Sequence, residues 1–237
     1  MSNGTKATKT IVGILGAGAL MFSLAACSMG SDGGSSNTSS PSASSSSSAT
    51  SAPTPLASLT NLSGVDTKVA VDAGFLEALT SLGVAPGVTG GATLSPEGVL
   101  AFPITGGNVD YYDPASDYRP FVQGEIDHDG SGLTLTAGDK VVELSNFVID
   151  PGTSRLTGTV SVNGEVAAED VFLFNLDGTT LQPLVANEDG TATLTGTRVL
   201  ISEDAAPLLN ETFGITDIQP DMLVGIASIT VAGDAAE

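Results

Sequence analysis

The chain has 237 residues, of which 27 are acidic and seven are basic, and its formal net charge is −20. This charge argues against a nucleic-acid-binding surface, because an acidic protein repels the phosphate backbone. The single cysteine excludes an intrachain disulfide and a cysteine-based zinc site, and a single histidine with no tryptophan leaves few groups for catalysis.

The first 26 residues have the pattern of a lipoprotein signal peptide. Lys6 and Lys9 precede the apolar run 11–26, which is shorter than a membrane span of about 20 residues, and the letters LAAC end at Cys27 as in a lipobox. We expect cleavage before Cys27 and lipidation of its thiol. A secretory signal with an incidental cysteine is the alternative. The pattern predicts an extracytoplasmic protein anchored to the cell membrane by lipid.

Residues 27–55 are predicted to form a disordered tether behind the lipidated cysteine. Serine, threonine, proline and glycine dominate this segment, which has almost no apolar side chains to bury. A flexible chain of this length has a mean reach on the order of 30 Å. We expect the tether to carry a single folded domain, residues 56–237, clear of the lipid surface.

The folded part is predicted to be all-β, as an antiparallel β-sandwich or a barrel-like domain. Runs rich in β-branched and aromatic residues alternate with turn signals, of which Asn163-Gly164 is the strongest. This spacing favours hairpins over parallel βαβ units. The runs predict strands at 99–105, 133–136, 141–149, 156–162, 171–176, 192–201 and 222–231.

Two segments, 72–83 and 203–214, are predicted to be short helices. Asp72 is the expected N-cap of the first helix and Asp204 that of the second, with Pro207 in its first turn, where a missing N–H is tolerated. Each segment has an apolar stripe at helical spacing, expected to face the sheet. The stripes consist of Phe75, Leu76, Leu79 and Leu82, and of Leu208, Leu209 and Phe213.

The window 111–130 contains all three tyrosines and the only histidine of the chain. Tyrosine supplies contact area at a low entropic cost, and acidic residues flank these side chains. We expect a surface that contacts a ligand or partner here. A solvated loop or packing residues are the alternatives. The expected contact residues are Tyr111, Tyr112, Tyr118, Phe121 and His128.

Residues 127–132 begin like a calcium-binding loop, with oxygen-bearing side chains at alternate positions and glycine sixth. Asp127, Asp129 and Ser131 are the candidate calcium ligands. The twelfth position is Gly138, where such loops have a glutamate. A tight polar turn between two strands explains the same letters through the turn preferences of Asp and Gly. We expect the turn and keep calcium as the alternative.

Short motifs across residues 100–231 occur in an order that resembles the HtaA-type domains of actinobacterial cell-surface haem-binding proteins. The motifs are FPITGG at 102–107, GEIDHDG at 124–130, VELSNF at 142–147 and a segment at 205–214. The resemblance implies a β-rich module.

The same resemblance implies haem binding through a tyrosine ligand supported by a nearby histidine, which is His128 here. In that family the tyrosine lies in an N-terminal segment that contains tryptophan. Residues 56–94 contain neither tryptophan nor tyrosine. Tyr111, Tyr112 or Tyr118 would therefore have to take its place.

The available chemistry favours binding over catalysis. The sequence has no GxSxG nucleophile motif and no glycine-rich phosphate loop with its lysine. A carboxylate pair could cleave glycosides, but sugar sites usually rely on aromatic platforms that this chain lacks. We expect a non-enzymatic cell-surface binding or structural module for an unknown extracellular ligand or protein. Haem binding is the first alternative and hydrolysis the last, and neither haem nor calcium is an expected cofactor.

Overall fold

The computed structural model describes residues 53–63 and 65–235, which belong to one folded unit. The predicted signal peptide, Cys27 and most of the predicted tether lie outside the described residues. The structure therefore describes the predicted domain and its candidate site.

Within the described residues, fourteen strands form one sheet in which every pairing is antiparallel. The strands are β1 (Ala57–Thr60), β2 (Asp66–Val71), β3 (Ala85–Gly90), β4 (Thr93–Leu94), β5 (Val99–Pro103), β6 (Gly106–Tyr111), β7 (Val122–Ala137), β8 (Lys140–Asp150), β9 (Arg155–Val162), β10 (Glu165–Asp177), β11 (Val185–Ala186), β12 (Ala192–Ile201), β13 (Leu223–Val231) and β14 (Asp234–Ala235). Their order in the sheet is β14-β1-β6-β7-β8-β9-β10-β12-β13-β2-β5-β4, with β3 paired to β7 and β11 to β12.

The sheet curls into a half-barrel, which confirms the predicted all-β, barrel-like fold. Register shifts interrupt the pairs β7–β8, β8–β9, β9–β10 and β12–β13, and such bulges bend strands and increase their twist. Side chains alternate between the two faces of each strand. The apolar side chains that the strands bury form one core, which includes Leu144, Val160, Leu173 and Ile201.

The predicted polar turn at residues 127–132 is wrong, because β7 continues through it. Instead of a turn, this segment forms a β-bulge between His128 and Gly132 in the pairing of β7 with β8. The amide of Asp129 donates to Thr105 Oγ1 at 2.9 Å, and the amide of Gly130 donates to Asn146 Oδ1 at 3.0 Å. These side chains satisfy the backbone donors that the bulge leaves outside the ladder, so the strand does not have to end.

The first predicted helix, α1 (Ala73–Ser81), is confirmed together with its N-cap. The amide of Phe75 donates to Asp72 Oδ1 at 3.2 Å, and the cap residue has an extended backbone. Phe75 and Leu79 are buried, so the predicted stripe faces the core.

The second predicted helix, α2 (Ala205–Phe213), is confirmed, but its predicted cap is wrong. Asp204 already has helical backbone angles and makes no capping bond. The capping acceptor is Ser202, whose Oγ accepts from the amide of Ala205 at 2.9 Å and donates to the carbonyl of Phe172 at 2.6 Å. Neither helix among the described residues is long and apolar enough to cross a membrane.

Candidate ligand-binding site

The concave face of the half-barrel contains a cavity of about 690 Å³. Its wall is built by strands β1, β6, β7, β8, β10, β12 and β13 and by the loops 112–121, 151–154 and 178–184. This volume is within the range of about 300–1,000 Å³ that is usual for small-molecule sites. Most wall side chains are apolar, including Leu59, Val109, Ile149, Leu194, Ile229 and Val231.

Several apolar side chains of the wall are only half-buried. Leu59, Val109, Leu194 and Ile229 all keep part of their surface open although they lie on the inner face of the sheet. Covering apolar surface is favourable by about 25 cal/mol per Å². A ligand with a large apolar body would therefore gain free energy by filling the cavity.

Tyr111 and Phe121 place two aromatic rings on the cavity wall. Tyr111 ends β6 and pairs with Ala57 on one side and Val122 on the other. The ring centroids of Tyr111 and Phe121 are 6.1 Å apart at an interplanar angle of 88°, an edge-to-face contact. Among the described residues, none forms a hydrogen bond with the Tyr111 hydroxyl, which leaves the phenol available to a ligand.

Tyr112 and Tyr118 form a separate pair that does not line the cavity. Tyr112 is only 7 % exposed, and its ring centroid is 4.7 Å from that of Tyr118. Its amide donates to the carbonyl of Phe121 at 2.7 Å, which closes the loop 112–121 at its base. The three tyrosines of the predicted contact surface therefore do not share one surface.

Arg119 brings a positive charge to the cavity wall. Its Nη1 donates to the carbonyls of Ser116 at 2.6 Å and Tyr118 at 2.8 Å, and Nη2 donates to that of Pro114 at 3.1 Å. The guanidinium carbon is 5.7 Å from the ring centroid of Phe121. These contacts hold an exposed side chain in one place.

His128 lies inside the core and not on the cavity wall, with 1 % of its surface exposed. Nε2 is 2.8 Å from Thr67 Oγ1, and Nδ1 is 3.3 Å from the carbonyl of Phe147. A neutral ring that donates from Nδ1 and accepts at Nε2 satisfies both contacts. Burial lowers the pKa of His128 to about 4. The structure therefore brings this histidine to Thr67 and not to a tyrosine.

The three candidate calcium ligands on β7 differ widely in exposure. Asp129 is exposed, Asp127 is half-buried, and Ser131 is buried with its hydroxyl donating to the carbonyl of His128 at 3.1 Å. Burial, and secondarily the charge of Asp129, raise the pKa of Asp127. Within residues 53–63 and 65–235 no cluster of three or more His, Cys, Asp or Glu side chains could hold a metal ion. Calcium binding at these residues stays a prediction.

Sequence reasoning missed most of the cavity wall. Leu194 and Ile229 belong to two runs that are predicted as strands, and apolar and polar residues alternate around each of them. Alternation identifies the inner face of a strand, but it does not tell whether that face meets a packed core or an open cavity. Arg119 had a usable signal, since it is one of only three arginines in the chain and lies in the tyrosine window.

No protein-family model matches the chain, and no curated protein matches it by sequence. Among solved structures, the chain is similar to the C-terminal domain of HtaA from Corynebacterium glutamicum at 14 % identity and a TM-score of 0.45, over 73 % of this chain and 99 % of that one. It is also similar to a domain-swapped dimer of a histidine-to-alanine variant of that domain, at 12 % identity and a TM-score of 0.38, over 68 % of this chain and 92 % of that one.

Proposed function

We propose that this chain is an extracytoplasmic binding module that holds haem in the half-barrel cavity. The observation that carries the proposal is the presence of a tyrosine, Tyr111, on the wall of an apolar cavity of about 690 Å³. The order of sequence motifs that resembles HtaA-type haem-binding domains supports the same ligand class.

The residues of the cavity fit haem in two respects. The apolar wall suits the porphyrin faces, and the Tyr111 oxygen suits ferric iron. Haem supplies an iron centre whose properties depend on its axial ligand. His128 is not the iron ligand in this proposal, because both of its ring nitrogens already have partners in the core.

The positions of the tyrosines favour ligand binding in the cavity over the exposed recognition surface that is expected from the sequence. That surface needs its tyrosines to be exposed together, whereas Tyr112 is buried against Tyr118 and Tyr111 lines the cavity. We keep the non-enzymatic role as part of the proposal, with binding and not hydrolysis as the activity.

Tyr111→Phe is expected to weaken hemin binding by about tenfold or more. The change keeps the ring and its contact with Phe121 but removes the oxygen that would bind iron. Even residues that only orient a metal ligand typically contribute tenfold to a hundredfold in affinity. The measurement is a hemin titration of the purified domain, followed by the Soret band.

Tyr112→Phe is the matched control. It also removes a phenol hydroxyl, but from the neighbouring tyrosine, whose ring does not line the cavity. It should bind hemin like the wild type. Haem binding is ruled out if the unmodified domain gives no saturable Soret shift. Equal losses in the two variants would instead show that Tyr111 is not the ligand.

We also propose that lipid on Cys27 anchors the module to the cell membrane. The support is the apolar run that ends in LAAC, with the only cysteine of the chain at the position that lipidation requires. Cys27→Ala is expected to move the protein from the membrane fraction to the soluble or secreted fraction. Detergent phase partitioning measures this, and a variant that still enters the detergent phase would contradict the assignment.

A further inference from the structure

The cavity wall differs in the sign of its charge from the protein as a whole. The chain has a net charge of −20, but Arg119 and Asp177 are the charged side chains of the wall. Asp177 is neutralised by Arg198, whose Nη1 is 2.6 Å from Asp177 Oδ2. The amide of Thr179 and the adjacent guanidinium of Arg198 lower the pKa of Asp177, so this carboxylate stays ionised within its pair. The uncompensated charge on the wall is therefore positive.

Arg119 has no carboxylate partner among residues 53–63 and 65–235, where the ion pairs are Lys68–Asp66 and Arg198–Asp177. An acidic residue of its own loop, Asp113, instead accepts a hydrogen bond from the amide of Ala115 at 2.8 Å. The loop thus holds a cation at the cavity without neutralising it.

The hydrogen bonds of Arg119 also leave part of its donor capacity free. Its three bonds to backbone carbonyls use three of the five N–H groups of the guanidinium. Two N–H groups have no partner among the described residues. A guanidinium that is fixed in place and has two free donors is suited to a carboxylate, which it can bind through two parallel hydrogen bonds.

We infer that the ligand of the cavity has an acidic group at the edge of an apolar body, and that Arg119 binds this group. The inference rests on the proposed haem function, since haem combines an apolar ring with two carboxylates, and it deepens that function by assigning an anion contact. The wall supplies the apolar contact, and Arg119 sets the orientation of the ligand in the cavity.

The test compares hemin with hemin dimethyl ester, which lacks free carboxylates, on the wild type and on Arg119→Gln. An exposed charge pair contributes modestly, so Arg119→Gln is expected to weaken hemin binding about fivefold to tenfold and to leave the ester unchanged. Arg119→Lys keeps the charge and should recover part of the loss. Arg155→Gln is the matched control, because Arg155 packs over Phe172 and does not line the cavity.

The two proposals can fail separately. If hemin binds but Arg119→Gln affects hemin and ester equally, or neither, the anion contact is overturned and haem binding stands. If hemin does not bind at all, haem binding fails, and a titration with oleate decides the anion contact. Oleate binding that weakens in Arg119→Gln supports it, whereas binding that is insensitive to Arg119, or no binding, overturns it.

Discussion

Gly124→Ala is expected to lower the free energy of unfolding by about 2 to 6 kcal/mol, a large part of the stability of a single domain. Gly124 has a φ of 120°, which L side chains rarely adopt, and a Cβ built there lies 2.1 Å from the carbonyl oxygen of Asn108. It pairs with Val109 across β6 and β7, directly beside the cavity. Backbone strain and steric overlap therefore act together. Urea unfolding measures the loss.

Gly164→Ala separates the two contributions. Gly164 has a φ of 84°, but a Cβ added to it meets no other atom within 4 Å, so this change introduces strain without overlap. We expect it to cost only about 1 to 2 kcal/mol. Similar losses in the two variants would mean that β6 and β7 separate easily at Gly124, which would contradict the close strand contact.

Local patterns were sufficient for the parts of the fold that depend on neighbouring residues. The Asn163-Gly164 hairpin joins β9 and β10 as predicted, because two turn residues between two apolar runs specify that geometry. The helix α1 follows from its apolar stripe and from Asp72, three residues before the amide that it caps. Such signals need only a few residues of sequence.

The bulge of β7 could not be predicted in the same way. Aspartate and glycine at 127–130 are typical of a turn. The groups that keep the strand going are Thr105 and Asn146, which come from other parts of the chain. Their positions depend on the completed sheet, so a local pattern gives the wrong result here. The short edge strands β4, β11 and β14 were missed because a strand of two residues is too short to show alternation of apolar and polar side chains.

The candidate site likewise combines features that a local sequence pattern predicts with features that depend on distant parts of the chain. The tyrosine window contains Tyr111 and Phe121, which both line the cavity, and also Arg119, which was not among the expected contact residues. The separation of Tyr111 from Tyr112 depends on which side of the sheet each ring occupies at the end of β6. The role of His128 depends on Thr67, which is 61 residues away. Sequence alone therefore predicted where the aromatic residues gather but not which of them meet the cavity.

Acidification is expected to destabilise the domain through His128 by about 3 kcal/mol between about pH 7.5 and pH 4. Burial holds the folded-state pKa at about 4, against an ordinary value of 6.5. The folded state therefore favours the neutral ring, and the stabilisation is fully present above pH 6.5. As the pH falls from 6.5 to 4, the unfolded chain binds a proton that the folded chain does not, so the stabilisation is lost.

The measurement is urea unfolding of the wild type and His128→Gln across this range, because their difference isolates one titrating group. Other groups change the stability of both proteins alike; Asp127, whose pKa is raised, acts in the opposite direction, because it stabilises the fold at low pH. The groups that face the ring are Thr67, the carbonyls of Phe147 and Ile126, and the charge of Asp129. Loss of the packed imidazole should make the variant less stable at pH 7.5, but its stability should fall less on acidification. Parallel curves for the two proteins would show that His128 is not held neutral in the core.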